Sequence, residues 1–162
     1  MLAVYIMPLD KLAVYIAAAL ACWTLLLLLL GRSARALAMF RVLCAVLTGL
    51  AVFGILLYTV LRRTPTDVHM FRFFAVYTDE FYREMFMNVL LYLPLGLTLT
   101  AVIGQRALVA AFLLSLGIES WQYFAGAGLA QGSDVICNSL GAALGALPYG
   151  LVSLLKQKNH TE

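Results

Sequence analysis

The chain has 162 residues, of which 64% are hydrophobic and only 12% charged, and its mean hydropathy is +0.95. Soluble domains carry about 25% charged residues, so a soluble globular domain is excluded, and the apolar segments leave no room for a separate soluble catalytic domain. The net charge of +3 comes from basic residues scattered at helix ends, which orients helices in a bilayer and gives no nucleic-acid footprint.

A helix needs about 20 apolar residues to cross the hydrocarbon. In chain order the predicted spans are Leu12–Leu30, Val42–Leu61, Phe86–Ile103, Ala107–Phe124 and Asp134–Leu155. The expected fold is an all-α integral membrane protein: a single membrane domain over 1–162, built as a bundle of about five transmembrane helices. A cleaved signal would need a basic start, a short apolar core and a small-residue cleavage site. Here Lys11 stands beside Asp10, and leucines run on after Cys22 for a full span, so the first helix reads as retained.

The connection Arg62–Met85 is too charged to cross. Met70, Phe74, Tyr77, Phe81 and Met85 recur at helical spacing, with Arg72, Asp79 and Arg83 on another face. This predicts an amphipathic interfacial helix between the second and third spans. Arg32, Arg35 and Arg41, then Arg106, then Lys156 and Lys158 all fall on one side of the membrane. The positive-inside rule therefore puts the N-terminus outside and the C-terminus in the cytoplasm. Arg62, Arg63, Arg72 and Arg83 oppose this, partly offset by Asp67, Asp79, Glu80 and Glu84.

Polar side chains inside the spans form the candidate site, because an amide or carboxylate at bilayer depth is costly unless it meets partners or water. Asn88 opens the third span, Glu119 and Gln122 close the fourth, and Asp134 and Asn138 open the fifth. Those three ends lie on the same side, so the five residues form a candidate polar cluster. Asp134, Asn138, Gly141 and Gly145 follow i, i+4, i+7 and i+11, a single stripe that Pro148 extends. Gly141 and Gly145 make a Gly-x-x-x-Gly pattern suited to close helix approach. Pro94, with Gly96 after it, kinks or locally opens the third span.

Ser133 reads as a cap for the fifth helix, and Asp134 complements its dipole. Glu119 is expected either to be neutral and bonded to Asn138 or Gln122, or to pair with Arg62, Arg63 or Arg72. No Ser-His or Cys-His arrangement, phosphate-cradling glycine motif or Asp-rich metal site is evident, so no catalytic residue, metal or cofactor is assigned. His69 and His160 read as solvated side chains. Cys22, Cys44 and Cys137 all lie within spans, as packing residues.

The run Asn88-Val-Leu-Leu-Tyr-Leu-Pro94-Leu-Gly96 resembles the Asn-x-x-x-Phe-x-Pro-x-Gly element of the VanZ-like membrane protein family. Glu119 and Gln122 then fit its Glu-x-x-Gln, and Asp134, Asn138, Gly141 and Gly145 its Asp-x-x-x-Asn-x-x-Gly-x-x-x-Gly. Phe71-Arg72-Phe73-Phe74 is similar to its short aromatic stretch, and the resemblance covers about residues 62–150. Where that family usually has a Pro-Gly-Arg turn and then one or two acids, this chain has Gly128, Gln131 and Ser133, and both signs of charge are lost.

The resemblance implies a bacterial inner-membrane protein acting at the cell envelope, of a family whose name-giving member confers resistance to the lipoglycopeptide teicoplanin. The expected partners are membrane lipids, a glycopeptide or cell-wall precursor lipid, and other copies of the chain. A small lipid or solute transporter and a membrane scaffold subunit using the Gly145 face are the alternatives.

Overall fold

The computed structural model describes residues 9–31, 33–64, 67–73 and 79–158. Helix α1 spans Leu9–Leu30 and α2 spans Ala34–Leu56, continuing as a π-helical turn over Leu57–Leu61. After strand β1 (Val68–Arg72) come α3 (Asp79–Ile103), α4 (Arg106–Phe124), strand β2 (Ala127–Gln131) and α5 (Gly132–Lys158). Four helices are long and apolar enough to cross a membrane: Ala34–Leu61, Phe81–Ile103, Arg106–Phe124 and Gly132–Leu155. In α1 the corresponding apolar stretch, Val14–Leu30, is shorter.

The bundle is apolar on both its inside and its outside, as a lipid-solvated protein must be. One core cluster joins α2, α3, α4 and α5 through Ile55, Tyr92, Leu95, Ala111, Ile118 and Ala142. A second, around Leu27, Phe40, Cys44, Ala101 and Val152, ties α1 and the far ends of α3 and α5 together. Val42, Val46, Leu50 and Phe53 on α2 are each more than half exposed, an apolar face with no protein partner. The cysteines behave as packing residues: all are free thiols, with Cys44 and Cys137 buried and Cys22 exposed.

Helices α3 and α5 approach until backbone meets backbone. A Cβ on Gly141 would collide with the Val89 carbonyl oxygen, one on Gly145 with that of Leu93, and one on Gly96 with that of Ala142. The Gly-x-x-x-Gly stripe of α5 is thus spent inside the chain, against α3, and Gly96 answers it from the opposite side. α3 runs through Pro94 as one helix. The Thr98 hydroxyl donates to the Pro94 carbonyl at 2.9 Å and the Thr100 hydroxyl to that of Gly96 at 2.6 Å. Thr48 donates to Thr98 at 2.9 Å, fastening α2 to the same stretch.

The connection between the second and third spans differs from expectation. No continuous interfacial helix runs from Met70: Val68–Arg72 is a strand, paired in parallel with Ala127–Gln131, and α3 begins at Asp79. Phe74 and Tyr77 lie outside the described residues, while Phe81 and Met85 belong to α3 itself. The physical reason is the backbone. Two irregular segments at a membrane face each carry polar N–H and C=O groups, and pairing them satisfies both. The glycine-containing stretch after α4, expected as a plain connection, supplies the partner.

The glycine contacts reverse the usual helix propensity. Gly→Ala in a helix normally stabilises by about 1 kcal/mol. That gain is expected for Gly49→Ala and Gly117→Ala, where nothing lies within 4 Å. Gly141→Ala and Gly145→Ala are expected to destabilise by about 1–3 kcal/mol through overpacking. Thermal midpoints of the four variants in one detergent check the opposite signs.

Candidate functional site

The two paired strands close the end of the bundle where α2 and α4 stop and α3 and α5 start. α4 ends because Gly126 takes φ +60°, a left-handed conformation that glycine adopts without strain, directly after the Ala125 N–H closes on the Trp121 carbonyl at 2.8 Å. The Tyr123 carbonyl, which takes the Gly126 N–H at 3.3 Å, also accepts a 2.7 Å hydrogen bond from His69 Nδ1. A carbonyl can only accept, so Nδ1 carries the proton. His69, though exposed, is therefore tied to the end of α4 and is not a free loop side chain. On the other side, the Ser133 N–H donates to the Phe73 carbonyl at 3.0 Å, holding the start of α5 against the segment after β1.

This clasp places the acidic residues. Glu119, buried one turn before the end of α4, accepts the Gln131 backbone N–H at 2.8 Å through Oε2. Gln131 immediately precedes α5, so the carboxylate serves the positive end of that helix from a neighbouring element. Of the two arrangements expected for Glu119, the bond to Asn138 or Gln122 is not the one formed. The Asn138 amide donates to the Ser115 hydroxyl at 2.8 Å and the Gln122 amide to the Thr59 carbonyl at 3.2 Å. Thr59 lies in the last, π-helical turn of the second span, where carbonyls have no intrahelical partner, so its oxygen is open to the Gln122 amide.

Toward the bundle end, the Asp134 carboxylate lies against the Asn88 amide and the Ser133 hydroxyl, with Glu84 in its field. Of the three arginines considered for Glu119, Arg63 is the one whose charge acts on it, and it acts on Asp134 as well. The Arg63 guanidinium occupies the space over Gly128, where a Cβ would sit 2.6 Å from Nη1, and Gly128 has φ +134°. A cation thus stands at the loop position that lacks its own arginine side chain, supplied by the end of the second span.

Four polar side-chain atoms in this region are buried without a hydrogen bond: Tyr92 Oη, Gln131 Oε1, Ser133 Oγ and Asn138 Oδ1. Tyr92 Oη lies beside Ser115 and Ser133 Oγ beside Asp134, yet neither reaches hydrogen-bonding geometry. Ser133 therefore does not cap α5; that helix begins at Gly132, and Ser133 is already in its first turn. Of the five sequence-predicted polar residues, Asn88 lies with Asp134 and Glu119 lies in the field of Asp134, while Asn138 bonds Ser115 and Gln122 bonds Thr59 on neighbouring helices. Among the described residues no three His, Cys, Asp or Glu side chains gather to hold a metal. The set is rich in acceptors and amides, suited to hydrogen-bonded recognition.

A family model described as VanZ/LLP1 matches residues 4–153. The chain belongs to the VanZ/LLP1 family. The match covers nearly the whole chain, well beyond the 62–150 region that carried the motif resemblance. Membership in VanZ/LLP1, a family linked to teicoplanin resistance, agrees with the apolar helices in making this a multi-pass membrane protein. No curated protein and no solved structure matches the chain.

Ser115 and Thr59 were not singled out from the sequence, Tyr92 entered only within the motif run and Gln131 only in place of a lost acid. Two of them carry a usable signal: Tyr92 is four residues after Asn88, and Ser115 four before Glu119, each on the same helical face as the recognised polar residue. Thr59 and Gln131 act through backbone atoms, which side-chain identity does not reveal.

The Gln131 N–H gives Glu119 a structural duty separable from its charge. Glu119→Gln keeps an acceptor and is expected to change stability by less than about 1 kcal/mol. Glu119→Leu strands the N–H and is expected to cost about 1–3 kcal/mol. Thermal unfolding in detergent distinguishes the two.

Proposed function

We propose that this VanZ-like protein works at the bacterial cell envelope, in the inner membrane. In this reading it lowers susceptibility to teicoplanin-type lipoglycopeptides through the polar cluster of Asn88, Glu119, Gln122, Asp134 and Asn138. The proposed orientation has the N-terminus outside, the C-terminus in the cytoplasm, and the cluster at the outer face. The observation that supports the reading is the grouping of Asn88, Asp134 and Glu119 with Arg63, beside the buried acceptors Asn138 Oδ1 and Gln131 Oε1 that have no donor among the described residues. Recognition of an envelope lipid or a glycopeptide-related group requires such a site, and family membership supplies the biological setting.

A scaffold role through the Gly145 face is less well supported, because α3 already occupies that face. A small transporter would need a route along the bundle axis, where the helices are packed around Tyr92, Leu95 and Ala142.

Teicoplanin and vancomycin susceptibility should be measured in a Gram-positive host producing wild type, Glu119→Gln or Asp134→Asn at matched membrane levels. The expected result is selective protection against teicoplanin by wild type and its loss in both variants. Absence of protection by wild type, or full protection by the variants, contradicts the proposal.

A further inference from the structure

Beside the cluster, but facing outward, a cleft of about 500 Å³ runs between α4 and α5. Phe112 and Leu116 form its α4 wall and Ile136 lies on its α5 wall; each is more than 40% exposed. At the bundle end Phe73 roofs it, its ring 2.9 Å from where a Cβ on Gly132 would lie, so any larger residue at 132 would displace the roof. The cleft follows α4 from Phe112 to Phe124, roughly 18 Å of helix axis. Among the described residues Glu119 is the one carboxylate in this wall, which is apolar apart from it, Ser120 and Tyr123.

Chemistry in the wall is one-sided. Among the described residues Glu119 accepts one hydrogen bond, from a backbone N–H through Oε2, whereas a carboxylate has about four acceptor positions. Nearby, Asn138 Oδ1 and Gln131 Oε1 are buried acceptors with no donor. Donors in the region include Arg63, which acts on Glu119 from over Gly128, and the Tyr92 and Ser133 hydroxyls, and none of them bonds these two acceptors. A largely apolar, outward-facing cleft, with an acceptor about 10 Å along α4 from Phe112, fits one kind of occupant.

We propose that the α4–α5 cleft is a lateral binding site for an amphiphile, whose alkyl chain lies along Phe112, Leu116 and Ile136 and whose head donates a hydrogen bond, from a protonated amine or a hydroxyl, to Glu119. The proposal rests on reading Glu119 as part of the functional cluster, and it adds the route: the ligand enters sideways from the bilayer. Its test uses purified protein and no antibiotic, so it can fail while the resistance reading stands, and the reverse.

Native mass spectrometry of the purified protein, given equimolar phosphatidylethanolamine and phosphatidylcholine with identical chains, separates the contributions. The ethanolamine head donates hydrogen bonds and the choline head does not. Wild type is expected to retain the ethanolamine lipid about tenfold better, and Glu119→Gln is expected to lose that preference while still binding both. Leu116→Trp, which fills the cleft, is expected to reduce retention of both lipids. Phosphoethanolamine without chains is expected not to compete. Equal retention of the two lipids by wild type overturns the assignment of Glu119 as the head acceptor. Unchanged retention in Leu116→Trp, in protein with wild-type thermal stability, overturns the cleft as the chain site. Effective competition by phosphoethanolamine shows a headgroup site without a chain site and also overturns the proposal.

Discussion

The close approach of α3 and α5 is the constraint on which the rest depends. Three glycines let the two backbones touch: Gly141 and Gly145 on α5, and Gly96 on α3. In a bilayer no hydrophobic force drives helices together, so packing and interhelical hydrogen bonds must hold them. Bringing the axes this close aligns the polar ends of the two helices. Asn88, the residue before Val89 in the Val89–Gly141 contact, lies with Asp134, about two turns before Gly141 on α5. α4 packs beside this pair and contributes Ser115 to Asn138.

The second requirement is satisfaction of backbone polar groups where the helices end. The parallel pairing of β1 with β2 accomplishes this at one face, and the same pairing turns the Gln131 N–H toward Glu119. His69 on the Tyr123 carbonyl and Ser133 on the Phe73 carbonyl tighten the clasp from both sides. A carboxylate that would be expensive to bury is thereby held at the start of a helix with an arginine in reach. Structure and candidate function overlap at Glu119, which both fastens the clasp and lines the lipid-facing cleft.

Much of this was legible in the sequence, for reasons that differ by element. Apolar runs and their lengths suffice for the helices, because bilayer thickness fixes span length. The Asp134–Asn138–Gly141–Gly145 stripe announces its own face through helical period, and the glycines pack as that period requires. What escaped reading depends on backbone atoms and long-range pairing. The strand at Val68–Arg72 hid beneath a helical spacing of Met and aromatic residues, of which Phe81 and Met85 belong to α3. Its partner, Ala127–Gln131, has neither strand-forming residues nor alternation, and pairs because both segments need hydrogen bonds at the same place. Arg63 was one of three arginines with equal claim; only its packing over Gly128 distinguishes it. The direction of the Gln122 and Asn138 amides, away from Glu119, follows from a π turn and a serine that sequence does not weigh.

The most direct measurement of the central claim is cross-linking of Asn88→Cys to Asp134→Cys in native membranes, with the three natural cysteines replaced. If the glycine contact of α3 and α5 assembles the cluster, the disulfide forms readily under mild oxidation with Gly141 intact. Its yield per inserted molecule then falls sharply with Gly141→Leu. Failure to form it in the glycine-intact chain, or an equal yield with Gly141→Leu, would contradict the account.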